Sequence, residues 1–153
     1  MSWQKLLKER RVKPHETSPQ ELKGLRAVIE RDLADASLPG LSADRRFATA
    51  YNAVLQISKM VIACVGFRVA GLGHHQMTFE VIELAMGPKV SDLADYFDAC
   101  RRKRNLVDYD MADVATQTEA DELLSQAKRF RDMAEAWIAE HYPELSPEAD
   151  KKG

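Results

Sequence analysis

The stretch ADRRFATAYNAVLQISKMVIACVGFRV, residues 43–69, decides the fold, because its apolar side chains recur at helical spacing for about six turns. One face of this helix carries Phe47, Tyr51, Val54, Leu55, Ser58, Val61, Ile62 and Val65. Flanking positions such as Ala53 and Ile57 are apolar as well. A helix that is apolar on several sides must be covered on several sides, so this segment is predicted to be the central helix of a bundle.

Helix-start signals and chain breaks divide the rest of the sequence. Ser18-Pro19-Gln20-Glu21 supplies an N-cap, a proline at the first helical position and a Glu three residues after the cap, and Thr116 to Glu119 repeats the capping box. Gly71-Leu72-Gly73 is predicted to cap the central helix. Further helices are predicted over residues 2–12, from Ser18 to Pro39, from His74 to Gly87, from Pro88 or Ser91 to Val107, and from Thr116 to about His141.

The resulting fold class is all-α, with no strand alternation, repeat or low-complexity tract. We predict an up-and-down antiparallel bundle of four main helices plus a short N-terminal helix. Residues 1–17 form the N-terminal helix and linker, residues 18–142 the bundle, and residues 143–153 a flexible polar tail.

The length, composition and net charge of the chain fit one domain outside the membrane. The chain has 153 residues, of which 45% are hydrophobic and 30% are charged. A formal net charge of −2 excludes a protein-wide positive field for nucleic acid or anionic membranes, so any polyanion site must be local. Cys64 and Cys100 lie at apolar helix positions, as buried thiols do in a reducing compartment. No signal core follows Met1, and the apolar run Val61–Phe67 is too short to span a bilayer, so a cytoplasmic location is predicted.

The basic residues concentrate in CRRKRNLVDYD, residues 100–110, near the end of a predicted helix. A wheel at about 100° per residue places Arg104 near the middle of the apolar face that also carries Leu93, Tyr96, Phe97, Cys100 and Val107. A guanidinium cannot lose its proton, so at this position it needs an ion-pair partner, a cleft or a second chain. Alternatively, the aliphatic part of the Arg104 side chain covers the core and its charged end reaches water. Asp108, one turn later, is the nearest candidate partner.

This basic run has two interpretations. It is either a solvated set of cations stabilised by the negative end of the helix dipole, or a site for an anion. As a site, Arg101, Arg104 and Asn105 present donors suited to phosphate, with Tyr109 as a stacking ring or hydroxyl group. The placement of Arg104 on the apolar face favours the site.

Other chemistries lack the residue spacing that they require. A di-iron bundle needs Glu-x-x-His pairs and a zinc site needs paired cysteines, and neither spacing occurs. His74 and His75 would point about 100° apart on a helix and chelate one ion poorly, so a packing or hydrogen-bonding role is predicted for them. We therefore predict no metal and no other cofactor.

The segment Arg104-Asn105-Leu106-Val107-Asp108-Tyr109 resembles the signature of the HEPN superfamily (higher eukaryotes and prokaryotes nucleotide-binding domain). That signature is an Arg, a polar residue, three variable positions and a His near the end of a long bundle helix. The Ala-rich central helix with Tyr51 and Lys59, and the Gly-x-Gly-His turn that follows it, resemble the family context. The resemblance covers roughly residues 20–140.

The resemblance implies a helical bundle that dimerises, with the two Arg motifs facing each other in a shared cleft. Many members of the family are metal-independent ribonucleases of toxin–antitoxin or defence systems, and others partner small nucleotidyltransferases. Arg104 takes the place of the motif Arg and Asn105 that of its polar neighbour. Tyr109 stands where the catalytic His would be, and a phenol with a pKa of about 10 exchanges protons poorly near neutral pH.

Three hypotheses follow. The first is a non-catalytic, homodimeric HEPN-like module that binds a nucleotide, RNA or a partner protein through a cleft at Arg104, together with Arg101, Asn105, Asp108 and Tyr109. The second is a metal-independent ribonuclease in which Arg101 or Arg104 stabilises the scissile phosphate and Tyr109 acts as a weak acid or base. The third is a structural bundle in which an Arg104–Asp108 pair fixes packing or the dimer register.

Overall fold

A computed structural model describes residues 1–70, 74–108 and 112–147, without the side chains of His74 and Asp108. The elements in chain order are α1 (Trp3–Lys8), β1 (Val12–Pro14), α2 (Pro19–Ala36), α3 (Ala43–Val65), β2 (Phe67–Val69), α4 (His74–Met86), α5 (Ser91–Asp108) and α6 (Gln117–His141). Short 3-10 turns at Pro88–Val90 and Pro143–Leu145 precede α5 and follow α6. The all-α prediction is confirmed.

The central helix of the bundle is α3, as predicted. It packs against α2, α4, α5 and α6, and its buried side chains include Phe47, Tyr51, Val54 and Ile57. By length and composition alone α3 could cross a bilayer, but more than half of its apolar window is covered by the other helices, as in a core helix. The bundle therefore forms around α3 because every side of this helix has apolar surface to bury.

In the described part of the chain, five helices follow α1, one more than the four main helices counted from the sequence. All five segments were predicted to be helical, and the shortest is α4, which was predicted from His74 to Gly87 and buries Phe79, Val81 and Ile82 against the core. With 13 residues, α4 is stabilised as a helix mainly by this burial.

The predicted end of the central helix is also wrong, because α3 stops at Val65 rather than near Val69. Gly66 takes the left-handed conformation, with φ of 102°, and its N–H donates to the carbonyl of Ala63. Glycine carries no Cβ penalty at this angle and therefore ends the helix here. The Gly71-Leu72-Gly73 turn predicted as the cap lies outside the described residues.

The first helix is shorter than predicted, because it ends at Lys8 and residues 12–14 pair as a strand. β1 and β2 form an antiparallel ribbon in which Val12 lies opposite Val69 and Lys13 lies opposite Arg68. The ring of Trp3 stacks on Phe67 with centroids 4.6 Å apart. The N-terminal arm therefore packs on its own domain. Three-residue strands are too short to show an alternating pattern in the sequence.

The limits of α2 and α6 match their capping signals. Ser18 accepts a hydrogen bond from the N–H of Glu21, and Thr116 and Glu119 form the reciprocal capping box. After α6, the described part of the predicted tail packs on the bundle: Leu145 contacts the core, and its carbonyl accepts a hydrogen bond from Arg26 Nη2 at 2.8 Å.

Candidate functional site at the basic end of α5

The four consecutive basic residues of α5 differ in their surroundings. Arg102 is the outermost, with 76% of its side chain exposed. Lys103 turns toward α6 and binds Glu119 there. This hydrogen bond, followed by one from the Thr116 N–H, lowers the pKa of the Glu119 carboxyl. Arg101, Lys103 and Arg104 are each partly buried, and of these the two arginines act electrostatically on Tyr51 of α3.

Arg104 occupies the position that the helical wheel predicted. It shares a face of α5 with the buried Phe97 and Cys100. Its guanidinium carbon, Cζ, lies 5.7 Å from the ring centroid of Tyr51 on α3, within the usual cation–π range. The structure therefore brings Arg104 against an aromatic ring of the central helix, so this side chain does not extend freely into solvent.

Arg101 lies one turn before Arg104 and has a carboxylate partner. Its Nε donates to Asp98 Oδ1 at 3.0 Å, and only 19% of its side chain is exposed. Asp98 also lies 3.8 Å from an Arg102 nitrogen, so one carboxylate serves two cations. Among the described residues, the two terminal nitrogens of Arg101 have no hydrogen-bond partner. These terminal nitrogens are the pair that binds phosphate oxygens in a forked geometry.

Tyr51 provides the ring that Arg104 faces, and the charge of Arg101 also acts on its hydroxyl. The residue is fully buried, and its hydroxyl has no hydrogen-bond partner among the described residues. Burial raises the pKa of Tyr51, and the positive charges of Arg101 and Arg104 oppose that rise only partly. The phenol therefore stays protonated at neutral pH and is not suited to acid–base work.

His75 is a neighbour that the sequence did not connect to the basic run. It lies in the first turn of α4, and its ring centroid is 6.3 Å from that of Tyr51, at an interplanar angle of 56°. Tyr51 and His75 are far apart in the chain, so only the packing of α4 on α3 brings them together. The pair of adjacent histidines was the one feature of the sequence that could have indicated His75 as a site residue. Their position in the sequence, however, does not reveal which of the two rings faces the core.

The structure describes the other predicted site residues, Asn105, Asp108 and Tyr109, only in part. Asn105 is half-buried next to Arg104. Asp108 is the last residue of α5, but its side chain, like the whole of Tyr109, lies outside the described residues. The roles proposed for Asp108 as an ion-pair partner and for Tyr109 in place of the motif His therefore stay predictions.

The two cysteines are not nucleophiles. Both are buried and free of disulfide bonds. Burial raises the pKa of Cys64 to about 12 and that of Cys100 to about 11, so both remain thiols at neutral pH. Within residues 1–70, 74–108 and 112–147, no group of three or more His, Cys, Asp and Glu side chains could hold a metal ion.

A comparison of the sequence with protein-family models gives a match that covers most of the bundle. The model of the SAV_6107-like HEPN family matches residues 41–135, which is more than half of the chain. The matched region runs from α3 into α6 and contains Tyr51, His75, Arg101 and Arg104. No curated protein and no solved structure matches the chain significantly. The resemblance inferred from residues 104–109 and the surrounding helices is thus confirmed, and the chain belongs to the HEPN superfamily.

Proposed function

We propose that this HEPN domain binds RNA through backbone phosphates at the inner face of α5, with Arg101 and Arg104 as the principal contacts. The observation that carries the proposal is that Arg104 Cζ lies 5.7 Å from the centroid of the buried Tyr51 ring, with Arg101 one turn away on α5 and near enough for its charge to act on the Tyr51 hydroxyl. Two forked donors fixed near each other can bind phosphate oxygens with little loss of side-chain entropy.

The charges around α5 limit the strength of this binding. Asp98 neutralises part of the charge of Arg101 and Arg102, and Glu119 binds Lys103. The basic run therefore presents less positive charge than its four consecutive cations suggest. For single-stranded RNA, two phosphate contacts give a slope of log affinity against log salt of about −1.4.

Replacing Arg104 by alanine tests the proposal. We expect the affinity for a fluorescently labelled single-stranded RNA, measured by fluorescence anisotropy, to fall by at least about tenfold. The slope of log affinity against log salt concentration is expected to become less negative by about 0.7. The matched control is Arg102→Ala, which removes the same charge from the exposed side of the same helix. It is expected to weaken binding by less than about threefold.

Two results would contradict RNA binding at this face. One is unchanged affinity in Arg104→Ala. The other is an equal loss in Arg102→Ala, which would indicate that the run acts only as a diffuse surface charge. Circular dichroism of both variants separates a lost contact from a lost fold.

The second candidate function is metal-independent RNA cleavage, and the position of His75 favours it. His75 and Arg104 lie against the same Tyr51 ring. An imidazole exchanges protons near neutral pH, which the phenol of Tyr51 does not. In such a reaction His75 would take the proton of the ribose 2′-hydroxyl, and the resulting oxygen would attack phosphorus. The bond from phosphorus to the 5′-oxygen would break, this oxygen would take a proton from solvent water, and His75 would return its own proton to solvent. The product would be a 2′,3′-cyclic phosphate, with Arg104 stabilising the charge on phosphorus.

Incubation with labelled RNA in a buffer containing a metal chelator distinguishes the two candidates. If the domain is a ribonuclease, His75→Asn is expected to lower the cleavage rate by about 10²- to 10⁴-fold while RNA affinity changes little. The control is His141→Asn, which alters an exposed histidine near the end of α6. Intact RNA after prolonged incubation with the wild-type protein would leave binding as the function of the site.

A further inference from the structure

A second concave surface lies between α3, β2 and α4. It encloses about 310 Å³. Its lining combines apolar, amide, hydroxyl and basic side chains: Leu55, Gln56, Lys59, Ile62, Arg68, Val69, His75 and Thr78. Among the described residues, none of those that line the cavity is a carboxylate. A volume near the lower end of the range for ligand pockets fits a small molecule rather than a macromolecule.

The permanent charges of this cavity have the same sign. Lys59 comes from α3 and Arg68 from β2. Within the described parts of the chain, neither side chain has a carboxylate within salt-bridge distance. In a protein with a net charge of −2, two unneutralised cations at one cavity form a local positive site.

The ribbon beside the cavity adds a third cation. Lys13 lies directly opposite Arg68 in the β1–β2 pair, so the two side chains project from the same face. Like charges in this cross-strand position destabilise the pair. A bound anion between them would remove that repulsion.

Glu21 is a carboxylate within electrostatic range of Lys59, and it is already engaged by other groups. Glu21 accepts hydrogen bonds from His15 Nε2 at 2.8 Å and from the Thr17 hydroxyl at 2.9 Å. The hydrogen bond from His15 is the largest contribution that lowers the pKa of Glu21, and Lys59 adds a smaller one. Glu21 therefore does not neutralise the cavity by binding Lys59 directly.

We propose that this cavity binds a small organic phosphate. Lys59 and Arg68 would bind the phosphoryl oxygens, and the Gln56 amide offers a neutral donor. Leu55, Ile62 and Val69 provide an apolar wall for the organic group. The cations of this cavity are distinct from the proposed RNA contacts, because neither belongs to α5, although His75 lies at the edge of both sites.

Calorimetric titration of the full chain with phenyl phosphate tests the proposal. We expect phenyl phosphate to bind at least about tenfold more tightly than inorganic phosphate or phenol, because it combines the charge with an apolar ring. The double variant Lys59→Gln/Arg68→Gln is expected to weaken binding by at least about tenfold. The matched control is Lys128→Gln/Arg129→Gln, which removes the same two charges from exposed positions on α6 and should stay within about twofold of wild type.

The Arg104→Ala variant separates this proposal from RNA binding at α5. Loss of phenyl phosphate binding in the cavity double variant, with binding retained in the control and in Arg104→Ala, supports the cavity site. Equal weakening in the cavity and control double variants would overturn it, and so would loss confined to Arg104→Ala. Failure of the wild-type protein to bind phenyl phosphate at millimolar concentration would overturn it as well, whatever the outcome for RNA.

Discussion

Replacing Phe97 by alanine is expected to lower the free energy of unfolding by about 3–5 kcal/mol. Phe97 is completely buried on α5, and its ring centroid lies 6.0 Å from that of Phe79 on α4 and 5.3 Å from that of Phe130 on α6. The truncation removes the apolar contacts of three helices at once and leaves a cavity that rigid helices fill only partly. Since domains of this size are stable by about 5–15 kcal/mol, much of the stability would be lost.

Urea denaturation followed by circular dichroism measures this effect, and Leu106→Ala provides the control. Leu106 lies on the same helix but is 47% exposed. Its truncation is expected to cost less than about 0.5 kcal/mol. A Phe97→Ala protein as stable as Leu106→Ala would show that the aromatic contacts between α4, α5 and α6 do not hold the bundle together.

The second large effect is expected at Asp44, whose replacement by alanine should cost about 2–3 kcal/mol. Asp44 lies in the first turn of α3, and its two carboxylate oxygens accept the backbone N–H groups of Asp113 and Ala115, each at 2.8 Å. Asp113 has a positive φ of 58°, an angle at which a non-glycine residue needs support from its surroundings. Without the carboxylate, the N–H groups of Asp113 and Ala115, just before α6, lose their acceptors on the central helix.

Thermal unfolding measures the loss at Asp44, with Asp35→Ala on the exposed side of α2 as a control for the removal of one negative charge. The control is expected to change stability by less than about 0.5 kcal/mol. If both variants melt at the same temperature, the hydrogen bonds that Asp44 accepts from the N–H groups of Asp113 and Ala115 contribute nothing to stability. Hydrogen exchange of the backbone amides of Asp113 and Ala115 measures the loss of these hydrogen bonds independently. Both N–H groups are expected to exchange faster in Asp44→Ala than in the wild-type protein.

The helix limits that the sequence predicted well are those set by local contacts. The N-cap of α2 at Ser18 and the capping box of α6 at Thr116 each involve residues three positions apart. The end of α3 was predicted at the wrong glycine, because the sequence offers several glycines and only the pairing of β2 with β1 selects Gly66. The ribbon itself joins residues 12–14 to residues 67–69, a separation at which local patterns carry no information.

The candidate site, like the helix limits, could be predicted from the sequence only where it depends on local contacts. The helical wheel was sufficient to place Arg104 on the buried side of α5, because it depends only on positions within one helix. The ring that Arg104 faces, Tyr51, and the neighbouring His75 come from other helices and could not be paired with it from the sequence. For the same reason, the cavity with Lys59 and Arg68 had no signature in the chain.

The sequence by itself determined that this chain forms a helical bundle around a central helix within residues 43–69, that it carries an Arg-containing motif near the end of a long helix, and that the motif Arg lies on an apolar face. Those properties depend on helical period, capping and residue type, which act over a few positions. Only the tertiary structure decided which side chains surround that Arg, where the central helix ends, and that cations from α3 and β2 meet at one cavity. Such contacts arise from the burial of apolar faces between distant segments, and burial selects partners by shape and position in space rather than by distance along the chain.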